Sequence, residues 1–175
     1  MRLVLIACVG AAAVALAGCE TISPEECRVA DWYAIGNKNG ANGQSLADLN
    51  DYAKDCAKAG VTPDRRAYAD GHADGLRLYC TPEEGYERGL QNAYYGGVCP
   101  PELERDFLPA YRHGREIYRV NAAIEDARRD IDDLQFRERA AQTRPERARI
   151  RDAIYDRQRD LDRFYDVLDR LRRRY

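Results

Sequence analysis

The sequence has little of what most enzymes announce themselves with. It carries no Gly-x-Ser-x-Gly elbow, no His-Glu-x-x-His helix and no phosphate loop, so the commonest hydrolase, zinc-protease and nucleotide signatures are excluded. Its only histidines are His72 and His113. No cysteines stand at C-x-x-C spacing, which removes the usual paired-thiolate metal site. The Asn37 to Gly43 stretch lacks carboxylates at ligand spacing and a closing Glu, so it reads as a polar turn, not a calcium loop. The formal net charge is −2, which does not suggest a nucleic-acid partner. From Arg115 onward there is neither glycine nor lysine. No catalytic group, metal or cofactor is expected on these grounds.

What is present begins with an address. Met1 and Arg2 give a short positive start, and Leu3 to Ala17 is an apolar run too short for a comfortable bilayer span. It closes on Leu16-Ala17-Gly18-Cys19, which resembles a bacterial lipobox. Residues 1–18 are expected to be a removed signal peptide, Cys19 the lipidated N-terminus, and 19–26 a tether containing Pro24. Acyl chains contribute about 0.8 kcal/mol per buried CH₂, so the membrane would be a partner through lipid alone. Glu20, not Asp, follows the cysteine and leans toward the outer membrane, facing the periplasm. Loss of Arg2 with the leader would move the net charge from −2 to −3.

Cysteine usage fits an oxidising compartment. With Cys8 in the leader and Cys19 acylated, Cys27, Cys56, Cys80 and Cys99 remain as disulfide candidates. Three pairings are open. Cys27–Cys56 with Cys80–Cys99 is favoured because each closes one local helix-loop unit.

A Tyr-x-x-Gly signature occurs four times, at Tyr33/Gly36, Tyr68/Gly71, Tyr86/Gly89 and Tyr111/Gly114. The first two copies extend to Gly40 and Gly75 with identical spacing. On a helix, Tyr68, Gly71, Gly75, Leu78 and Tyr79 share one sector. Each helical glycine costs about 1 kcal/mol relative to Ala. Two on one face therefore imply close approach of another helix. Helices are expected from Asp31 to Asn39, from Leu46 to Ala59 with Ser45 as cap, and from Asp64 to about Tyr79. Breaks are expected at Thr81-Pro82, at Gly85 and in the turn from Tyr94 to Pro101. Another helix should begin near Glu102, with Pro109 kinking or restarting it.

Beyond Arg115 the apolar positions Ile117, Val120, Ile124, Ala127, Ile131 and Leu134 step by three and four. The pattern resumes at Ile150, Ile154, Leu161, Phe164, Leu168 and Leu171, interrupted by Arg157. Arginine alternates with Asp and Glu on the remaining faces. The expected fold class is all-α: a small disulfide-stapled helical head over 27–114, then a charged antiparallel hairpin over 115–175, coiled-coil-like. The hairpin is a candidate arm for an envelope protein partner or for self-association.

Cys27 to about Tyr118 resembles the bacterial lipoprotein family catalogued as domain of unknown function 2799. The resemblance rests on Cys27, Asp31-Trp32, Ile35-Gly36, Gly40, Gly43, Cys56, Tyr68-x-x-Gly71, Gly75-Leu76, Tyr79-Cys80, Gly85-Tyr86, Gly89, Tyr95, Val98-Cys99-Pro100 and Tyr111-x-x-Gly114. The chain departs from the pattern at Asn39, where Asp is frequent, and at His72, where Arg is frequent. The resemblance implies an envelope address and no assigned activity.

Trp32 and the tyrosines could line a glycan or peptidoglycan groove, or fill the core. His72, Asp74, Trp32 and Tyr95 are the candidate ligand contacts. His72 lies about 100° from the Gly71–Gly75 face and is expected to meet solvent. The two expectations for function are a lipid-anchored interaction module and an envelope ligand-binding or hydrolytic protein.

Overall fold

A computed structural model describes residues 21–174. The expected leader, Cys8, Cys19 and Glu20 lie outside the described residues. Those described form seven α-helices, one 3₁₀ turn and no strand: the chain is all-α.

The described residues divide into two compact units, 21–30 with 47–63 and 31–46 with 64–174. In the first, Ser23 and Glu26 form a reciprocal capping box that starts α1, Pro24–Val29, with Pro24 in the first turn. The last three residues of the expected tether, 24–26, are thus helix. A 3₁₀ turn over Leu46–Asp48 precedes α3, Leu49–Ala57, so this helix begins three residues later than the Ser45 cap suggested. Cys27 on α1 is bonded to Cys56 on α3. Asp55 accepts the Thr21 amide at 2.8 Å and pairs with Lys58 at 3.1 Å, contacts that hold its carboxyl below the usual range.

In the second unit, Asp31 caps α2, Trp32–Ala41, accepting the Ala34 amide at 3.0 Å. Asp64 caps α4, Arg65–Tyr79, in the same way. Thr81 caps α5, Pro82–Leu90. The longest helix, α6, runs Pro101–Ala140, and α7 returns over Arg144–Arg172 behind its Thr143 cap.

The four Tyr-x-x-Gly copies pack as two pairs. A Cβ on Gly36 would fall 2.1 Å from the Tyr68 carbonyl oxygen and one on Gly71 2.0 Å from that of Tyr33. Further along, Gly40 faces the His72 carbonyl and Gly75 that of Asn37, so α2 and α4 run parallel, backbone against backbone. Gly89 and Gly114 repeat the arrangement against the carbonyls of Tyr111 and Tyr86, joining α5 to α6. Carbonyls set this closely over glycine face Cα–H groups, which offsets part of the helical cost of glycine. Gly85 belongs to this contact as well. It sits inside α5, where a Cβ would meet the Phe107 carbonyl at 2.6 Å, and is not the expected break.

Pro109 neither ends nor restarts α6, which continues unbroken for 40 residues. Pro109 is exposed, so the carbonyl freed by its missing N–H faces water, while Phe107, Ala110 and Tyr111 on the opposite side are buried. The expected division at 114/115 therefore falls within a single helix.

Around the Cys80–Cys99 disulfide, Tyr79, Phe107, Tyr111 and Tyr95 form an aromatic core. Tyr95 and Phe107 lie 4.8 Å apart, and Tyr79 and Phe107 5.4 Å. Both disulfides are the favoured pairing.

The hairpin follows the predicted seam. Ile117 and Ile124 pack with Leu168 and Leu171, and Tyr86 and Leu90 of α5 join them, so the end of α7 closes on the glycine-packed base. Ile131, Ile150 and Ile154 fill the other half. Arg157 is accommodated by reaching across to Asp130 at 3.1 Å.

Candidate functional site

In the second unit an open cavity of about 660 Å³ lies beside α4. Its walls come from α4, from Ser45-Leu46 and from the turn before α6; its polar lining is Ser45, His72, Arg77 and Glu102. Leu76, Val98 and Leu103 supply apolar surface.

His72 is buried at 4% exposure, contrary to the expected solvent-facing position. Helical phase alone placed it off the glycine face. The segment after α2 folds over that flank of α4, and the Gln44 carbonyl lies 2.8 Å from Nε2. A carbonyl can only accept, so Nε2 carries the proton and donates. The ring also stacks on Tyr68 at 6.1 Å.

Of the four candidate contacts, only His72 borders the cavity. Asp74 instead accepts the Tyr33 hydroxyl at 2.7 Å, and this bond to a carboxylate raises the Tyr33 pKa. Trp32, the first residue of α2, is buried at 8% exposure. Tyr95 donates to Glu104 at 2.9 Å and accepts the Cys99 amide at 3.2 Å, which locks the disulfide turn. Burial pushes its hydroxyl up to about 12. His113 stacks on Tyr86 at 5.9 Å, so the two histidines serve different helix pairs. Among the described residues, no group of three or more His, Cys, Asp or Glu converges where a metal could sit. No described helix is long and apolar enough to cross a membrane.

Sequence reasoning missed Arg77 and Glu102. Neither belongs to a motif, and their common cavity depends on the Cys80–Cys99 turn coming back against α4.

The two tyrosine–glycine pairs are the recognisable core of this unit, and residues 31–116 match the family model described as Protein of unknown function (DUF2799). This segment belongs to that family. The DUF2799 match takes in all four Tyr-x-x-Gly copies and Cys56, Cys80 and Cys99, begins after Cys27, and ends within α6. Most of the hairpin thus lies beyond the DUF2799 segment. Comparison with curated proteins and with solved structures gave no match.

Proposed function

We propose that this protein is a lipid-anchored, periplasm-facing module of the cell envelope that presents its C-terminal hairpin as a rigid arm for protein contact. The observation that carries this reading is the continuity of α6 from Pro101 to Ala140. At 1.5 Å per residue it is about 60 Å long. Its first third is clamped to α5 through Gly89 and Gly114, so the arm is an extension of a packed core and not a hinged appendage. Tyr118 and Tyr155 remain 39% and 62% exposed on the arm, aromatic surface that an interface can use. The lipobox-like Leu16 to Cys19 supports the anchor, and Glu20 an outer-membrane destination.

The test is crosslinking in intact cells with photoreactive residues at Tyr118 and Tyr155. A reproducible protein adduct, or a second copy of the chain, is expected. Glycan-linked adducts alone would discard the arm. Lipidation is read separately, by incorporation of a palmitate analogue that disappears in Cys19→Ser.

A second reading, envelope ligand binding to a glycan or peptidoglycan fragment, draws on the cavity beside His72, with Arg77 and Glu102 as polar contacts of opposite charge. A melting shift with such fragments, lost in Arg77→Ala, would favour it.

A further inference from the structure

Apart from a basic group at 170–174, where α7 ends, the arm carries two opposite electrostatic regions. Along its shaft, 116–136 and 153–169 hold six arginines against eleven carboxylates. Around the turn, 137–152 holds six arginines against three carboxylates, a net charge of +3. Pairing accentuates the contrast. On the shaft, Arg128, Arg129, Arg157, Arg159 and Arg163 are each neutralised by a carboxylate three residues away or across the hairpin. At the turn, Arg137 reaches Asp133 and Arg151 reaches Glu138, but the guanidinium groups of Arg139, Arg144, Arg147 and Arg149 form no ion pair or hydrogen bond among the described residues. Arg144, Arg147 and Arg151 lie along one face of α7 and line a concavity of about 290 Å³. Phe136, one turn before the end of α6, is 65% exposed.

We propose that this arginine tip docks end-on to the phosphate headgroups of an anionic lipid bilayer. Guanidinium groups present a planar fork that matches phosphate oxygens. Cations at the far end of an acidic shaft fit a plane met by the tip. The second basic group, Arg170 to Arg174, lies at the opposite end, where Leu168 and Leu171 pack with Ile117 and with Tyr86 and Leu90 of α5. A duplex or an extended acidic chain would call for positive charge spread along the shaft, where the sign is negative. The exposed ring of Phe136 has a place among headgroups that it lacks in water. The inference does not depend on the N-terminal lipid, since the tip lies about 40 Å along α6 from Gly114 and carries its own charge.

The experiment is flotation of the full chain with vesicles of phosphatidylcholine, with and without phosphatidylglycerol. The tip variant R139Q/R144Q/R147Q/R149Q is compared with the shaft variant R119Q/R129Q/R159Q/R163Q, which loses the same charge. Whatever the apolar N-terminal run contributes is common to all three proteins. Circular dichroism checks that each keeps its helix content. The tip variant is expected to bind phosphatidylglycerol vesicles at least about tenfold more weakly than wild type and neutral vesicles equally, while the shaft variant binds like wild type. F136S should also weaken anionic binding. Equal losses in both variants would reduce the effect to net charge and overturn the proposal, as would wild-type binding by the tip variant. Conversion from dimer to monomer in the tip variant without lipid, with vesicle binding unchanged, would make a second copy the occupant and overturn it too.

Discussion

The backbone carbonyl oxygen of Tyr33 lies 2.0 Å from the place a Cβ on Gly71 would take, and Tyr68 stands in the same relation to Gly36. The two helices therefore touch through backbone, and the glycines are what allows it. Gly71→Ala must push α2 off α4, and the neighbour that blocks it is a carbonyl that cannot rotate away. The expected cost is about 2–3 kcal/mol, within the range of overpacked cores. Gly96→Ala is the control, since a Cβ there meets only side chains at 3.6 Å and beyond. Urea unfolding of the two variants should separate them clearly; equal midpoints would mean the helices are not this close.

Within that pair the hydroxyls differ in burial. Asn39 donates to the Tyr68 hydroxyl at 2.9 Å, with Tyr68 fully buried, whereas Tyr33 is 43% exposed and bonds to Asp74. Tyr68→Phe should cost about 1 kcal/mol and Tyr33→Phe only a few tenths, because water replaces the bond in the exposed case. The ratio of the two losses in denaturant unfolding is the measurement, and a reversed order would contradict the assigned burial.

Arg157 occupies a seam position and holds Asp130 at 3.1 Å with its side chain 41% exposed. A half-exposed pair of this kind contributes about 0–1 kcal/mol. Arg157→Leu should complete the apolar seam and raise the melting temperature, while Arg157→Ala should lower it slightly. A large loss in the leucine variant would show that the ion pair sets the hairpin register.

Alkaline pH should expose Tyr95. Burial, together with its bond to Glu104, raises the folded hydroxyl to about 12, while an unfolded tyrosine titrates near 10. The unfolded chain thus releases a proton first as pH rises. The contribution is whole below about pH 10 and is lost progressively as the pH climbs toward 12. Denaturant midpoints measured across that window should fall for wild type. The fall should be shallower in Tyr95→Phe, though not absent, because burial raises Tyr79 as well.

Much of the fold was legible in the sequence because its causes are local. Capping side chains at Asp31 and Asp64 act within three residues, and the hairpin seam repeats at helical period, whereas Thr81, expected as a break, also caps α5. Where local signals misled, a distant contact had taken over. Gly85 reads as a break until Phe107 lies against it, and Pro109 reads as a kink or restart until its neighbours are buried on the opposite side. Of the candidate site, Tyr95 and Asp74 turned out to serve packing and tyrosine bonding, and only His72 reaches the cavity.

By itself the sequence determined most of the helices, though not α1 or the extent of α5, together with the apolar seam of the arm and the small-residue faces that had to meet something. Each depends on spacing along one segment. Only the tertiary structure decided which glycine face meets which, that both pairs run parallel, and that one helix carries the core into the arm. It also decided that His72 is covered and that four arginines at the turn are left without carboxylates among the described residues. These are outcomes of chain segments meeting in space. A glycine, a histidine or an arginine looks the same in sequence whether its neighbour is a carbonyl, a carboxylate or water.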